Sequence, residues 1–173
     1  IATTGDLLRR QAHVEALVER RTAALVKSEG HLAATLRSIG DGVVTCDREG
    51  RVSSLNQVAE QLTGWSTAEA LGRKVEEVFR IVNPQTRAVV DNPVAQAVLS
   101  GSVAGLANPT VLIGRTGKEF LIADSCAPVR DGEGNVAGAV LVFRDVTVEH
   151  ARREALRQSE QRVQTVLENL PEG

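Results

Sequence analysis

The hydrophobic positions of this chain change period at Gly40. From Asp6 to Ser38 they recur at heptad spacing. With Leu7 at position a, Val14 is also a, while Val18, Leu25, Leu32 and Ile39 fall at d. The segment has no proline, a single glycine (Gly30), and many leucines, alanines, glutamates and arginines, so it predicts a helix about 50 Å long. Arg21, Ser28 and Thr35 take the later a positions, leaving the seam regular at d and polar in places at a. One helix cannot bury such a stripe alone. Polar a positions suit a parallel homodimeric coiled coil that can shift, more than one of maximal stability.

Beyond Gly40 the pattern predicts strands and short helices. Gly42–Cys46 and Arg51–Leu55 read as a hairpin around the turn 47–50. Asn56 caps a helix over Gln57–Thr63 that Gly64 ends, and Ser66 or Thr67 caps another with Glu69 close behind. Residues 72–92 are mixed, contain Pro84, and read as short helical turns and loop. Asn92-Pro93 opens a helix over Val94–Leu99, stopped by Gly101. Thr110–Gly114 and Glu119–Val129 read as strands, and Asn135–Val146 as the last one. On that last strand Ala139, Leu141 and Phe143 share one face and Val140, Val142 and Arg144 the other, so both faces are expected to be covered. The predicted class is α+β: a five-stranded antiparallel sheet with short helices on one face, a long N-terminal helix and a C-terminal helix. The expected domains are 1–38, 39–148 and 149–173.

The end of the chain repeats its beginning. Residues 21–42 align without a gap on residues 152–173; Leu25, Leu32 and Ile39 correspond to Leu156, Val163 and Leu170. The expectation is one unit of an array plus the opening of the next, in a chain that continues past Gly173.

Composition narrows the chemistry. A formal charge of −2 gives no reason to expect nucleic acid. Cys46 and Cys126 make neither a disulfide framework nor a metal spacing, and are expected as buried, reduced thiols. The longest apolar run, Val136–Phe143 with its glycine counted, is eight residues, and Ile1–Arg10 has no apolar core, so neither a span nor a secretory leader is expected. Gly114-Arg-Thr-Gly-Lys118 lacks phosphate-loop spacing and reads as a hairpin turn. Asp124 shares a strand face with Phe120, Ile122 and Cys126. If that face is inward, its carboxylate needs a partner: an internal cation, a loop amide or a small ligand. No nucleophile–base–oxyanion set converges, so no enzyme activity and no metal are expected.

Two stretches, SIGDGVVTCDREGRVSSLNQVAEQLTGW and GKEFLIADSCAPVRDGEGNVAGAVLVFRDVT, resemble the PAS domain of bacterial signalling proteins over about residues 36–148. Asp145-Val-Thr147 resembles the Asp-X-Thr motif that closes many PAS domains before an output helix. The stretch ERRTAALVKSEGHL is similar to the helical linker that precedes PAS domains in membrane-bound sensor kinases. The resemblance implies a cytoplasmic, non-catalytic sensory and dimerisation module, within a longer protein that can be membrane-anchored. Its output would be a histidine kinase or a cyclic-di-nucleotide enzyme elsewhere in the chain. It implies a pocket between sheet and helices, for which Phe120, Ile122, Asp124 and Phe143 are candidates. It assigns Asp145 and Thr147 to signal relay; Thr147 can cap the output helix through its hydroxyl, and Asp145 can hold a nearby basic group or backbone amide. Haem is not expected, because His13, His31 and His150 lie outside the domain; nor is a flavin adduct, because Cys46 and Cys126 sit on strands in other contexts. A small-molecule ligand is compatible with the resemblance. So is a ligand-free spacer that passes on the signal of an upstream sensor.

Overall fold

The structure, a computed structural model, describes residues 9–24, 40–106 and 109–168. It divides into two units, Ile1–Ile39 and Gly40–Gly173. In the first, residues 9–24 are helical (α1). Of the expected seam, Val14 and Val18 lie on α1 and are 57% and 56% exposed; Leu7, Leu25, Leu32 and Ile39 lie outside the described residues.

The second unit runs β1 (Asp41–Asp47), β2 (Val52–Leu55), α2 (Gln57–Thr63), α3 (Thr67–Ala70), α4 (Val75–Val78), β3 (Arg80–Val82), α5 (Pro93–Ser100), β4 (Thr110–Ile113), β5 (Glu119–Arg130), β6 (Val136–Asp145) and α6 (Thr147–Glu168). The strands form one sheet in the order β2-β1-β6-β5-β4-β3, every pairing antiparallel. The sheet therefore has six strands where five were expected. The extra strand, β3, hides in the mixed stretch before Pro84. Three residues carry no readable period, and the segment becomes a strand through its pairing of Ile81 with Leu112 and Val82 with Val111 on β4.

Local caps fix the helices. Asn56 Oδ1 accepts from the amides of Ala59 (2.8 Å) and Val43 (2.9 Å), and its Nδ2 donates to the Asp41 carbonyl (2.9 Å), so one side chain caps α2 and clamps it to β1. Ser66 and Glu69 form a capping box on α3, and Asn92 with Pro93 starts α5. Gly64 and Gly101 end α2 and α5 in the left-handed region, at φ 75° and 62°.

The core lies between the inner sheet face and α2–α5. Phe79, Leu112, Ile122, Cys126, Leu141 and Phe143 are each no more than 1% exposed and belong to one cluster. The Phe79 and Phe143 rings meet at 4.7 Å between centroids, tilted by 57°. Two glycines make the close approaches possible. A Cβ on Gly42 would stand 2.6 Å from Phe143 Cζ, and one on Gly138 would collide with the Cys46 carbonyl oxygen across the β1–β6 pair. The outer face is only partly covered: Val43, Val140 and Val142 are half-buried, while Ala123, Ser125 and Ala127 are exposed.

Candidate functional site

Two features of the second unit are suited to receiving and passing on a change. The first is the root of α6. Asp145 Oδ1 accepts from the Thr147 amide (2.9 Å) and the Thr147 hydroxyl (2.6 Å). The same hydroxyl oxygen accepts from the Leu121 amide of β5 (3.0 Å), and the Val146 amide donates to the Leu121 carbonyl (2.8 Å). The expected hydroxyl cap is therefore corrected. Asp145 holds a backbone amide, as expected, and it is the first amide of the helix, while the Thr147 hydroxyl, already donating to Asp145, ties the helix start sideways to β5. Asp145 and Thr147 form a clasp joining β5, β6 and α6. Leu121 belongs to it and is not apparent from sequence, because the contact depends on strand register across 26 positions.

The second feature is a cavity of about 910 Å³ at the β3 edge of the sheet. Its walls come from α4 (Glu76), Phe79, β3 (Arg80, Ile81), the segment Val89–Asn92, α5 (Pro93, Ala95, Gln96, Leu99, Ser100) and Leu106. The segment after β3 turns back along it, with the Val90 amide donating to the Ile81 carbonyl (3.0 Å) and the Asn83 amide to the Ala88 carbonyl (2.8 Å). Asn92 Oδ1 accepts from the Val94 amide (2.9 Å); its Nδ2 is buried without a hydrogen-bond partner.

None of the four pocket residues expected from sequence lines this cavity. Ile122 and Phe143 are core, and Phe120 is half-buried under Lys118, whose Nζ stands 4.8 Å from the ring centroid. Asp124 pairs with Phe143 across β5 and β6, and both line a cleft of about 170 Å³ beside Asp41 and Arg144. Burial pushes the Asp124 carboxyl above its ordinary value, opposed by a hydrogen bond from the Leu106 amide; its Oδ2 has no partner. No ion pair to Asp124 occurs among the described residues.

Both thiols are free and buried. Burial, with Cys126 next in weight, pushes Cys46 up to about 12, and burial with Asp124 pushes Cys126 up to about 11. The two stand on β1 and β5, with β6 between them, too far apart for a disulfide. Gly114–Lys118 is a turn closed by the Gly114 amide on the Lys118 carbonyl (2.8 Å). No group of three or more histidine, cysteine or acidic residues able to hold a metal occurs among the described residues, and no described helix is long and apolar enough to cross a membrane.

A curled antiparallel sheet with short helices on its inner face and a clasped exit helix defines a domain of the sensory type. A family profile described as the PAS fold matches residues 30–146, and the chain belongs to that family. It is 35% identical over 156 residues to the alginate biosynthesis sensor protein KinB of Pseudomonas aeruginosa, covering 87% of this chain and 25% of that protein. It is 31% identical over 166 residues to the "probable diguanylate cyclase DgcE" of Escherichia coli K12, covering 91% of this chain and 14% of that protein. The chain thus spans a quarter or less of these curated relatives. In structure it resembles the PAS domain of a Colwellia psychrerythraea protein, with TM-score 0.52, 22% identity, and coverage of 68% of this chain and 96% of that one. A Light-Oxygen-Voltage domain studied through a flavin analogue matches with TM-score 0.51 and 22% identity, over 76% of this chain and 96% of that one. At these identities the structural likeness speaks for the fold alone.

Proposed function

We propose that this PAS domain is a non-catalytic relay and dimerisation module within a longer cytoplasmic or membrane-anchored signalling protein. A change at the helix-bearing side of the sheet reaches α6 through β5, β6 and the Asp145–Thr147 clasp. The helices carry it to an output domain outside this segment, of the sensor-kinase or diguanylate-cyclase kind met in the relatives. Two copies pair through the seam of α1, and α6 offers a second apolar stripe. The observation that carries the reading is the Thr147 hydroxyl, bonded at once to Asp145 and to the Leu121 amide. Sliding of β5 against β6 must stretch or break that contact, so the angle of the helix is coupled to strand register.

The family includes cofactor-binding members, and the residues here do not fit haem or a flavin–thiol adduct. No histidine stands between residues 40 and 146, and both thiols are held protonated on buried strands. The test is Thr147→Val, which keeps shape and removes the hydroxyl. The reading expects the Leu121 amide to lose hydrogen-exchange protection and the first turns of α6 to fray, with the core of β1 and β6 unchanged. Unchanged exchange at Leu121 and along α6 would remove the clasp from the mechanism.

A further inference from the structure

The cavity at the β3 edge has a composition that narrows its ligand. Its floor is apolar, formed by Phe79, Ile81 and Pro93, and Leu99 at its rim is 87% exposed. With Val89, 71% exposed, it forms the exposed apolar surface of the site. The charged groups lining it are one guanidinium, Arg80, and two carboxylates, Glu76 and Asp91. None of the three takes part in an ion pair among the described residues. A simple anion would meet two carboxylates, and a simple cation would leave Arg80 unanswered. Asn92 also lines the wall, but its Nδ2 is buried beneath the surface, with no hydrogen-bond partner among the described residues, and presents nothing to an occupant. The volume, about 910 Å³, is at the upper end of small-molecule sites and exceeds that of a single amino acid.

We propose that this edge cavity binds a small zwitterion with an apolar body, of which a hydrophobic dipeptide is the simplest. The carboxylate meets Arg80, the ammonium meets Glu76 or Asp91, and the side chains cover Val89 and Leu99. The site lies at the sheet edge and not on the inner face, which is closed by its own side chains. The inference rests on the relay reading above and gives it an input. Its occupant leans on α5, whose buried Val94 and Ala97 pack into the same core as Cys126 and Leu141 of β5 and β6.

The test uses the whole chain and three probes: L-leucyl-L-phenylalanine, its N-acetyl derivative and its C-terminal amide. Two-dimensional amide NMR should show the free dipeptide shifting Ile81, Val89, Val90 and Leu99. Each capped derivative should bind about tenfold more weakly, as should the free dipeptide to Arg80→Gln, because each change removes one charge-assisted contact. Arg80 is exposed, so the variant folds; its unchanged spectrum away from the cavity checks this. No shift at these amides, or equal binding of all three probes, overturns the proposal. Binding at the cavity with no change in hydrogen exchange along α6 supports the site and counts against the relay, so the two readings fail separately.

Discussion

The sheet domain and the exit helix treat the same kind of residue in opposite ways. In the sheet domain Val44, Val75, Leu112 and Leu141 are wholly buried, whereas Leu156, Val163, Val166 and Leu167 on α6 are 58–63% exposed. Not one residue of α6 is buried. The domain closes its own core; the helix keeps an apolar stripe and has nothing within its unit to cover it. α1 resembles α6 in this respect, with Val14, Leu17 and Val18 all exposed. Under the proposed function, stability resides in the first and association in the second.

The contrast is broken most severely from the domain side. Phe143→Ala empties a fully buried ring site beside Phe79 and should cost about 3–5 kcal/mol in chemical denaturation. Gly138→Ala forces a methyl into the Cys46 carbonyl across β1 and β6 and should cost about 3 kcal/mol. A loss under about 1 kcal/mol for both would mean that the inner face is not the core.

From the helix side the expected effect is on association. Leu156→Glu combined with Val163→Glu should leave the domain's unfolding free energy within about 0.5 kcal/mol, because both positions are exposed. The same pair should weaken self-association in sedimentation velocity. If the parent and variant sediment alike, the α6 stripe plays no part in pairing.

The clasp sits between the two regimes. Thr147→Val deletes two hydrogen bonds at an exposed site and should cost about 1 kcal/mol, read by thermal melting beside the exchange experiment above. The smallest effect concerns Asp124. Burial raises its pKa from 3.8, so its charged form disfavours the folded state. As pH rises from below 3.8 through the raised value, the parent loses stability that an Asp124→Asn variant keeps. The difference between variant and parent should therefore move in favour of asparagine from acid to neutral pH. A pH-independent difference would show that burial does not burden the carboxylate.

What could be read in the sequence follows from how local each feature is. Asn56, Ser66 with Glu69, Asn92-Pro93, Gly64 and Gly101 act within a few residues of themselves, and the elements they bound are visible before folding. Asp145 and Thr147 are also visible, being two residues apart, while their third partner, Leu121, depends on β5–β6 register. β3 is too short to show a period, and the edge cavity is assembled from α4, β3, Val89–Asn92 and α5, which no spacing rule joins. Asn92 is legible as a cap, but its spare Nδ2 is a fact of packing alone. Whether the Phe120–Cys126 face of β5 turns inward is left open by the sequence; in the structure Ile122 and Cys126 point into the core, and Ile122 and Phe143 fill that space themselves.

The most direct test of the account is a distance between copies. Spin labels at Gln161→Cys on α6, with Cys46 and Cys126 replaced by alanine, report by double electron–electron resonance. The account predicts one short inter-copy distance, in keeping with helix axes about 10 Å apart, that broadens when Thr147→Val opens the clasp. An absent inter-copy signal, or a distribution that Thr147→Val leaves untouched, would contradict it.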